Sequence, residues 1–386
     1  MNPVVLSSNT DWYLFNFRLS LAKAIGDAGF RVQLASPAGP YVEELKAHDL
    51  QWHEVPMARR GLNPLNELGT LRSYLSLYRE IGPSIVHHFT IKPVIYGSVA
   101  ARIAGVPAVI NSITGLGYVF SGRNRRFILL QWLLWPALRL ALGHPNHRAI
   151  FQNQDDLDLY VSSRYVRRNV TTLIPGSGVD PSQFAPFPEP IGIPVVLLAA
   201  RMLWDKGVGD LVEAARLLKA RKVPARIVLA GGLDKGNPSA IPEGQLNQWQ
   251  EEGIVEWWGH QEDMPSVYRL CHIAVLPSYH EGMPRTLVEA AAMARPIVAS
   301  DLPGCRAIVK DGENGLLIPL GDPDSLSTAL QKLIEAPELR KSMGENGREL
   351  VLSGFTDEII NHETIELYRS LLGHMKTSST AISLGS

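Results

Sequence analysis

Cysteine is nearly absent: Cys271 and Cys305 are the two in 386 residues, and neither belongs to a CxxC pair. A disulfide-built scaffold is thereby excluded, and a reducing compartment is expected. The sequence also has no His/Cys cluster at zinc spacing, so no structural metal is expected. An excess of one charge is missing too. Lys plus Arg number 37 and Asp plus Glu 38, a formal net charge of -1, which argues against a nucleic-acid-binding surface. Long hydrophobic runs are lacking. The most apolar stretch, 127–142, is broken by Gln131, Pro136 and Arg139 and falls short of the roughly 20 residues a spanning helix needs. A basic leader with a cleavage site is not found ahead of the first strand-like segment, so export is not expected.

What is present is alternation. Val4-Val5-Leu6 is followed by the polar loop Ser7–Asp11 and by a helical pattern with Phe17, Leu21 and Ala24 on one face. Strand-like runs recur at Val32–Ala35, Trp52–Val55, Ile85–His88 and Pro107–Ile113, separated by helical segments at Pro40–His48, Asn66–Ile81 and Ile95–Gly105. Strands alternating with helices of this length imply right-handed βαβ units and a parallel sheet. Five prolines (Pro181, Pro186, Pro188, Pro190, Pro194) then mark a loop-rich segment of the kind that joins domains. The alternation restarts at Val195–Ala199 and continues through Ile227–Ala230, Val255–Trp258, Ile273–Leu276, Pro296–Ala299 and Gly315–Ile318. Two doubly wound sheets facing a central cleft are expected, divided at 1–185 and 186–355. A helix over 356–375 and a Ser/Thr/Gly-rich disordered tail over 376–386 complete the expectation. In such folds ligands sit beyond the carboxyl ends of strands.

Three segments of the second half point to one ligand. Arg201 ends a buried strand, and Lys206-Gly207 lies on the loop after it. A guanidinium fork and an ammonium together suit a diphosphate; the competing reading is a solvated loop with Asp205 as a partner. In Glu281-Gly282-Met283-Pro284-Arg285, a glycine loop runs into a helix start, where Pro284 loses little by lacking an N–H. The free amides of Gly282, Met283 and Arg285 with the helix dipole make an anion site. Glu289 lies eight residues after Glu281, about 9 Å further along the helix axis. A diphosphate at the helix tip would then place a sugar near Glu281 and ribose hydroxyls near Glu289. The competing reading for Glu289 is a surface pair with Arg285. Gly231-Gly232 and Gly259-His260 each follow a strand and allow close backbone approach, the latter beside a base.

Taken jointly, these residues resemble the family 4 glycosyltransferases of the GT-B fold, over about Val4 to Leu372. The resemblance implies two Rossmann-like domains, the amino-terminal one for the acceptor and the carboxy-terminal one for a nucleotide-sugar. It also implies transfer with retention and without a metal. Arg201 and Lys206 are similar to the family's phosphate-binding pair, and Glu281 and Glu289 to its paired glutamates. Ile174–Asp180 resembles the hinge-proximal segment, and the helix near Ile359–Leu372 would cross back to the first domain. His87-His88-Phe89-Thr90-Ile91-Lys92-Pro93, Asn111–Gly117 and Asp11–Arg18 resemble bacterial members that extend polyprenyl-diphosphate-linked sugars, of the undecaprenyl-diphosphate-bacillosamine N-acetylgalactosaminyltransferase type. That likeness implies acceptor contacts at Asn16, Lys92, Thr114 and Gly115, and a UDP-linked donor as cosubstrate with no further cofactor. The family's acceptor Gly-Gly is missing from the Ser8–Asn16 segment.

Two readings stand for His87: a contact to sugar or proton, or a buried structural histidine. His88 should point the other way, because strand side chains alternate. Lys92 either meets the acceptor diphosphate or caps a solvated helix start. Asp156 and Asp158 read as acids of a helix start rather than metal ligands. Arg123, Arg125 and Arg126 precede an apolar run with Trp132 and Trp135, which suits peripheral attachment to the inner face of a bacterial plasma membrane; the alternative is a buried helix. A sugar-nucleotide epimerase and a non-catalytic partner subunit are the rival functional classes.

Overall fold

In the computed structural model, residues 2–58, 63–114 and 135–383 are described, with side chains up to residue 373. Two compact units divide the chain: Met1–Ser177 with Asp357–Ser386, and Gly178–Thr356.

The first unit holds seven strands: β1 Pro3–Ser7, β2 Arg31–Ser36, β3 Gln51–Glu54, β4 Ile85–Phe89, β5 Ala108–Ile113, β6 His147–Phe151 and β7 Thr171–Leu173. They pair in parallel in the order β3-β2-β1-β4-β5-β6-β7. All five residues of β4 are buried, as expected of a central parallel strand covered on both faces. β6 and β7 escaped the sequence reading. His147 and Arg148 open the one, which leaves only the three buried residues Ala149-Ile150-Phe151 as an apolar signal, and the other is Thr171-Thr172-Leu173 without a buried side chain.

Local signals set the helix ends. α1 (Asp11–Asp27) starts where Thr10 accepts a hydrogen bond from the Tyr13 amide. α2 (Pro64–Ile81) has Asn63 as its cap, Pro64 in its first turn, and stops at Gly82 in the left-handed region at φ 58°. The helix expected over Ile95–Gly105 is in two parts. A π-turn over Pro93–Gly97 precedes an α-helix over Ser98–Ala104. The His88 ring lies against the turn, and a Cβ on Gly97 would come within 2.5 Å of its Nε2.

The second unit contains β8 Val195–Ala199, β9 Arg226–Ala230, β10 Glu256–Gly259, β11 Ile273–Leu276, β12 Ile297–Ser300 and β13 Gly315–Ile318. Their order is β10-β9-β8-β11-β12-β13, again parallel. α3 (Val208–Ala220) and α4 (Arg285–Ala292) follow β8 and β11. Apolar residues fill both faces of the sheet, with Val196 and Leu198 in one core and Val195, Leu197 and Ala199 in the other.

The boundary expected at 185/186 falls at 177/178. The Val179 amide bonds the Phe355 carbonyl at 3.1 Å, and Phe184 is buried in the second unit's core, so the proline-rich segment is part of that unit. α5 (Asp357–Ser383) returns to the first unit. Ile360, Ile365, Tyr368 and Leu371 are buried there with Leu14, Leu21 and Ile25 of α1. The backbone stays helical to Ser383, where disorder was expected from 376. Once a helix is nucleated, each further residue adds a bond at little cost.

Candidate active site

Strand order reverses between β8 and β11 in the second unit, and the two loops leaving that pair carry the second-half motifs. The β8 loop ends in a turn over Trp204–Lys206, closed by Gly207 at φ 70°. A Cβ on Gly207 would stand 1.9 Å from the Pro277 carbonyl oxygen, so only glycine lets the two loops lie together. The Tyr279 amide and the Ser278 hydroxyl both donate to the Asp205 carbonyl, at 2.9 and 3.1 Å. Lys206 is thus held beside the β11 loop, where its Nζ meets Glu281 Oε1 at 2.5 Å.

Arg201 is half-exposed and pairs with the buried carboxylate of Asp234. Asp205, the partner expected under the surface-loop reading, engages neither cation in an ion pair among the described residues. Both cations already hold carboxylates, so a bound diphosphate would compete with Glu281 and Asp234 for them. A cavity of about 280 Å³, lined by Trp204, Asp205, Gly207, Gly209, Asp210 and Tyr279, borders the same loops.

Glu281 and Gly282 lead into α4. Pro284 is its cap rather than a first-turn residue, and Met283 packs against the core. Gly304 lets a neighbouring helix start pass beneath, since a Cβ there would meet the Glu281 and Gly282 carbonyl oxygens at 2.5 and 2.6 Å. Glu289 sits one helical turn after Arg285, with 2.9 Å from Oε1 to the guanidinium Nε. The pair is formed but is not on the surface: Glu289 is 7% exposed. Burial pushes its carboxyl above the ordinary range, opposed by Arg285 and by a hydrogen bond from Tyr268.

Gly231 and Gly232 lie against neighbouring loops. The Gly231 amide donates to the Gly259 carbonyl at 2.7 Å, and a Cβ on Gly231 would stand 1.7 Å from the Ala200 oxygen. Gly259 is left-handed at φ 69°, and exposed His260 comes beside Gly232. The second unit therefore places Arg201, Lys206, Gly231, Gly232, Gly259, His260 and Glu281 through Glu289 at and beyond the carboxyl ends of β8, β9, β10 and β11.

The remaining candidates lie in the first unit, in different settings. His87 is 1% exposed. Its Nδ1 bonds Tyr368 Oη and its Nε2 bonds Ser112 Oγ, both at 2.7 Å. With both ring nitrogens occupied, the reading as a catalytic group gives way to the structural one. Burial, then Arg18 and His88, hold its imidazole well below the usual value. His88 bonds Tyr78 Oη at 2.8 Å on the opposite face. Lys92 is a correction as well. Its ammonium is buried and meets Glu67 at 2.5 Å, so its charge is answered within the unit. The Asn16 amide donates to the Trp12 carbonyl at 3.0 Å, and Thr114 is partly buried at the end of the β5 segment. Gly115, Arg123, Arg125, Arg126 and Trp132 lie outside the described residues. Trp135 is 40% exposed, with the Arg139 guanidinium 5.1 Å from its ring centre. Among the described residues no helix is long and apolar enough to cross a membrane, and no group of three or more acidic, His or Cys side chains could hold a metal. Asp156 bonds Asn153, and Asp158 pairs with Arg168.

Sequence reasoning missed Asp234, Tyr268, Ser278 and Gly304. Asp234 alone had a local signal, an acid shortly after the glycine pair. The others act through contacts between segments far apart in the chain.

Residues 180–350 match the model of the glycosyl transferases group 1, and residues 3–152 that of the glycosyl transferase 4-like family. The N,N'-diacetylbacillosaminyl-diphospho-undecaprenol alpha-1,3-N-acetylgalactosaminyltransferase of Campylobacter jejuni is 27% identical, over 92% of this chain and 95% of its own. The UDP-Gal:alpha-D-GlcNAc-diphosphoundecaprenol alpha-1,3-galactosyltransferase of Escherichia coli is 26% identical over 78% of this chain and 79% of its own. Among solved structures, the Anabaena HepE protein in complex with UDP-glucose superposes with a TM-score of 0.79, 19% identity, and 96% and 100% of the two chains covered. A sucrose-phosphate synthase from Thermosynechococcus elongatus reaches 0.79 at 20% identity over 97% and 100%. At those identities the structures establish the shared GT-B fold.

Proposed function

We propose that the chain, which matches the glycosyl transferases group 1 over residues 180–350 and the glycosyl transferase 4-like family over residues 3–152, moves an N-acetylhexosamine from a UDP-sugar to a lipid-linked saccharide. The acceptor is a sugar on a polyprenyl diphosphate, in the assembly of a surface glycan. Relatives named for diphospho-undecaprenol acceptors, matched over most of their own length, support that choice. The observation that carries the reading is the grouping of Arg201, Lys206 and Glu281 on adjoining loops at the second sheet's reversal point, with Glu289 in the helix that the second loop enters.

In this reading the donor's diphosphate displaces Asp234 and Glu281 from the two cations. As the bond from the sugar's anomeric carbon to the β-phosphate oxygen breaks, Arg201, Lys206 and the α4 amides stabilise the charge that develops on the diphosphate. The acceptor hydroxyl bonds to the same face of the anomeric carbon, and the departing phosphate oxygen takes its proton. Configuration is retained and no protein nucleophile is used. Glu281, released from Lys206, faces the sugar, and Glu289 accepts from the ribose hydroxyls. Gly231, Gly232, Gly259 and His260 flank the base. The nucleotide-sugar is a cosubstrate; no metal or further cofactor is assigned. Peripheral attachment to a membrane is part of the same reading, supported by the exposed Trp135 and by the lipid nature of the acceptor.

The test is a donor panel incubated with polyprenyl-diphosphate-sugar acceptors and scored by mass spectrometry, with the new linkage read by NMR. An α-linked product from a UDP-N-acetylhexosamine, undiminished by EDTA and lost in the Arg201→Ala, Lys206→Ala double variant, is expected. Turnover that survives the double variant would overturn the mechanism. An epimerised sugar with free UDP in the absence of any acceptor would replace the function.

A further inference from the structure

The cavity of about 280 Å³ beside the Lys206 turn is lined by Trp204, Asp205, Gly207, Gly209, Asp210 and Tyr279. Nothing in the proposed transfer uses it. Of the six lining residues two are acids and none is a base. Lys206, between them in the chain, is paired with Glu281 at 2.5 Å and is not part of the wall.

Trp204 is 42% exposed, yet it is fixed in place. Its ring meets Trp249 edge to face with 5.8 Å between centres, and its amide donates to the Ser239 carbonyl at 2.8 Å. A Cβ on Gly209 would stand 3.1 Å from the ring, so the indole rests on the first turn of α3. Asp210 belongs to that turn. Acids at helix starts are ordinarily solvated and face the dipole. Asp210 Oδ2 is instead buried and has no hydrogen-bond partner among the described residues. The carboxylate accepts from the Tyr279 hydroxyl, and burial pushes its carboxyl above the ordinary range. No Lys or Arg answers its charge among the described residues. Buried acceptors left without partners are rare and call for an explanation.

We propose that this cavity binds a small organic cation, an alkylammonium whose charge answers the Asp210 carboxylate and whose chain lies on the Trp204 indole. An indole face attracts a cation within about 6 Å of its centre, and a carboxylate with an open acceptor supplies the opposite charge. Two acids and no base disfavour phosphates and nucleotides. The volume falls under the roughly 300 Å³ at which pockets begin to hold drug-sized ligands, so the occupant is an amine of a few carbons. A free amine and the ethanolamine headgroup of a lipid share this chemistry. A wall without a base has nothing to hold the headgroup's phosphate, which favours the free amine. The turn that walls the cavity also carries Lys206, so an occupant bears on the cation that the proposed function gives to the donor's diphosphate. That consequence rests on the proposed function; the amine site does not.

The experiment is direct binding to the full-length chain, followed by NMR of the tryptophan indole N–H groups and by calorimetry. The probes are butylammonium, its neutral counterpart butan-1-ol, phosphoethanolamine and methyl glucoside. Butylammonium should displace the Trp204 resonance, assigned by its loss in Trp204→Phe, and butan-1-ol should not. Asp210→Asn, which keeps an acceptor for the Tyr279 hydroxyl, should weaken butylammonium at least about tenfold, and Trp204→Leu about fivefold. Should Asp210→Asn not fold, Trp204→Leu carries the comparison. Equal displacement by butan-1-ol, a response to methyl glucoside alone, or wild-type affinity in the folded variants would overturn the proposal. Tighter binding of phosphoethanolamine than of butylammonium would overturn the choice of a free amine. With butylammonium present, the UDP affinity of the wild type should change by about twofold or more and that of Asp210→Asn should not. An unchanged UDP affinity beside intact amine binding would overturn the link to Lys206. Failure of the proposed function looks different: amine binding intact and no sugar transferred.

Discussion

Arg201 shows how a buried carboxylate holds a half-exposed cation beside a strand end. Its guanidinium is paired with Asp234, so under the proposed function the nucleotide must compete with a carboxylate for it. Asp234→Asn removes that competitor while leaving an oxygen to accept from the guanidinium. UDP should bind about two- to fivefold more tightly, the size of a partly exposed ion pair, and titration calorimetry would show it. The opposite sign, weaker binding, would mean that Asp234 aims Arg201 at the phosphate. His87 makes the second case at this scale. Tyr368→Phe deletes the partner of its Nδ1 and leaves that nitrogen buried and unpaired, a cost of about 1–3 kcal/mol. The melting temperature should fall while kcat of the folded protein holds. A fall in kcat at unchanged stability would return His87 to the catalytic set.

At the scale of elements, the second unit's site depends on loops that touch, and glycines permit the touching. Gly207→Ala places a Cβ against the Pro277 carbonyl in a left-handed turn. At about 1–2 kcal/mol for the backbone alone, with the clash added, the Lys206 turn must move. A loss of kcat/KM of tenfold or more is expected, along with a lower melting temperature. Gly244→Ala is the control, because a Cβ there meets nothing within 4 Å in the first turn of a helix. It should leave activity unchanged and raise stability by about 0.5–1 kcal/mol. These contacts also mark how far the sequence could be read. Arg201, Lys206 and Glu281 could be picked out because each lies on a loop after a strand-like apolar run, and Glu289 because it lies eight residues on, in the helix that loop enters. Their partners could not. Asp234 lies 33 residues from Arg201 and Tyr268 21 residues from Glu289, and no local periodicity reports such pairings. β6 and β7 were missed for a related reason: an apolar signal of three residues in the one and none in the other leaves the strand to be specified by the neighbour it pairs with. Lys92 and His87 misled because a basic residue after a strand looks the same whether it faces a ligand or a buried Glu67 or Tyr368.

For the whole molecule, the uneven burial of histidine predicts how it responds to acid. In the first unit the His88 imidazole is held down to about 4 and that of His147 to about 3, both chiefly by burial, and His87 is held well below its ordinary value. The second unit's His272 and His280 are also lowered by burial, but neighbouring carboxylates oppose it, Glu189 at the first and Asp205 and Glu281 at the second. A histidine whose folded value is depressed binds its proton more readily in the unfolded chain. Its contribution to stability is therefore complete above about pH 6.5 and is lost as the pH falls from there toward the folded value. For His88 alone that window, from about 6.5 down to about 4, corresponds to roughly 3 kcal/mol. Scanning calorimetry between pH 7.5 and 4.5 should accordingly show the first unit's transition falling earlier and further than the second's. The assignment can be made with Tyr368→Phe, which lowers only the first unit's transition at neutral pH. Equal displacement of both transitions would mean that carboxylate protonation, common to the two units, governs acid stability instead.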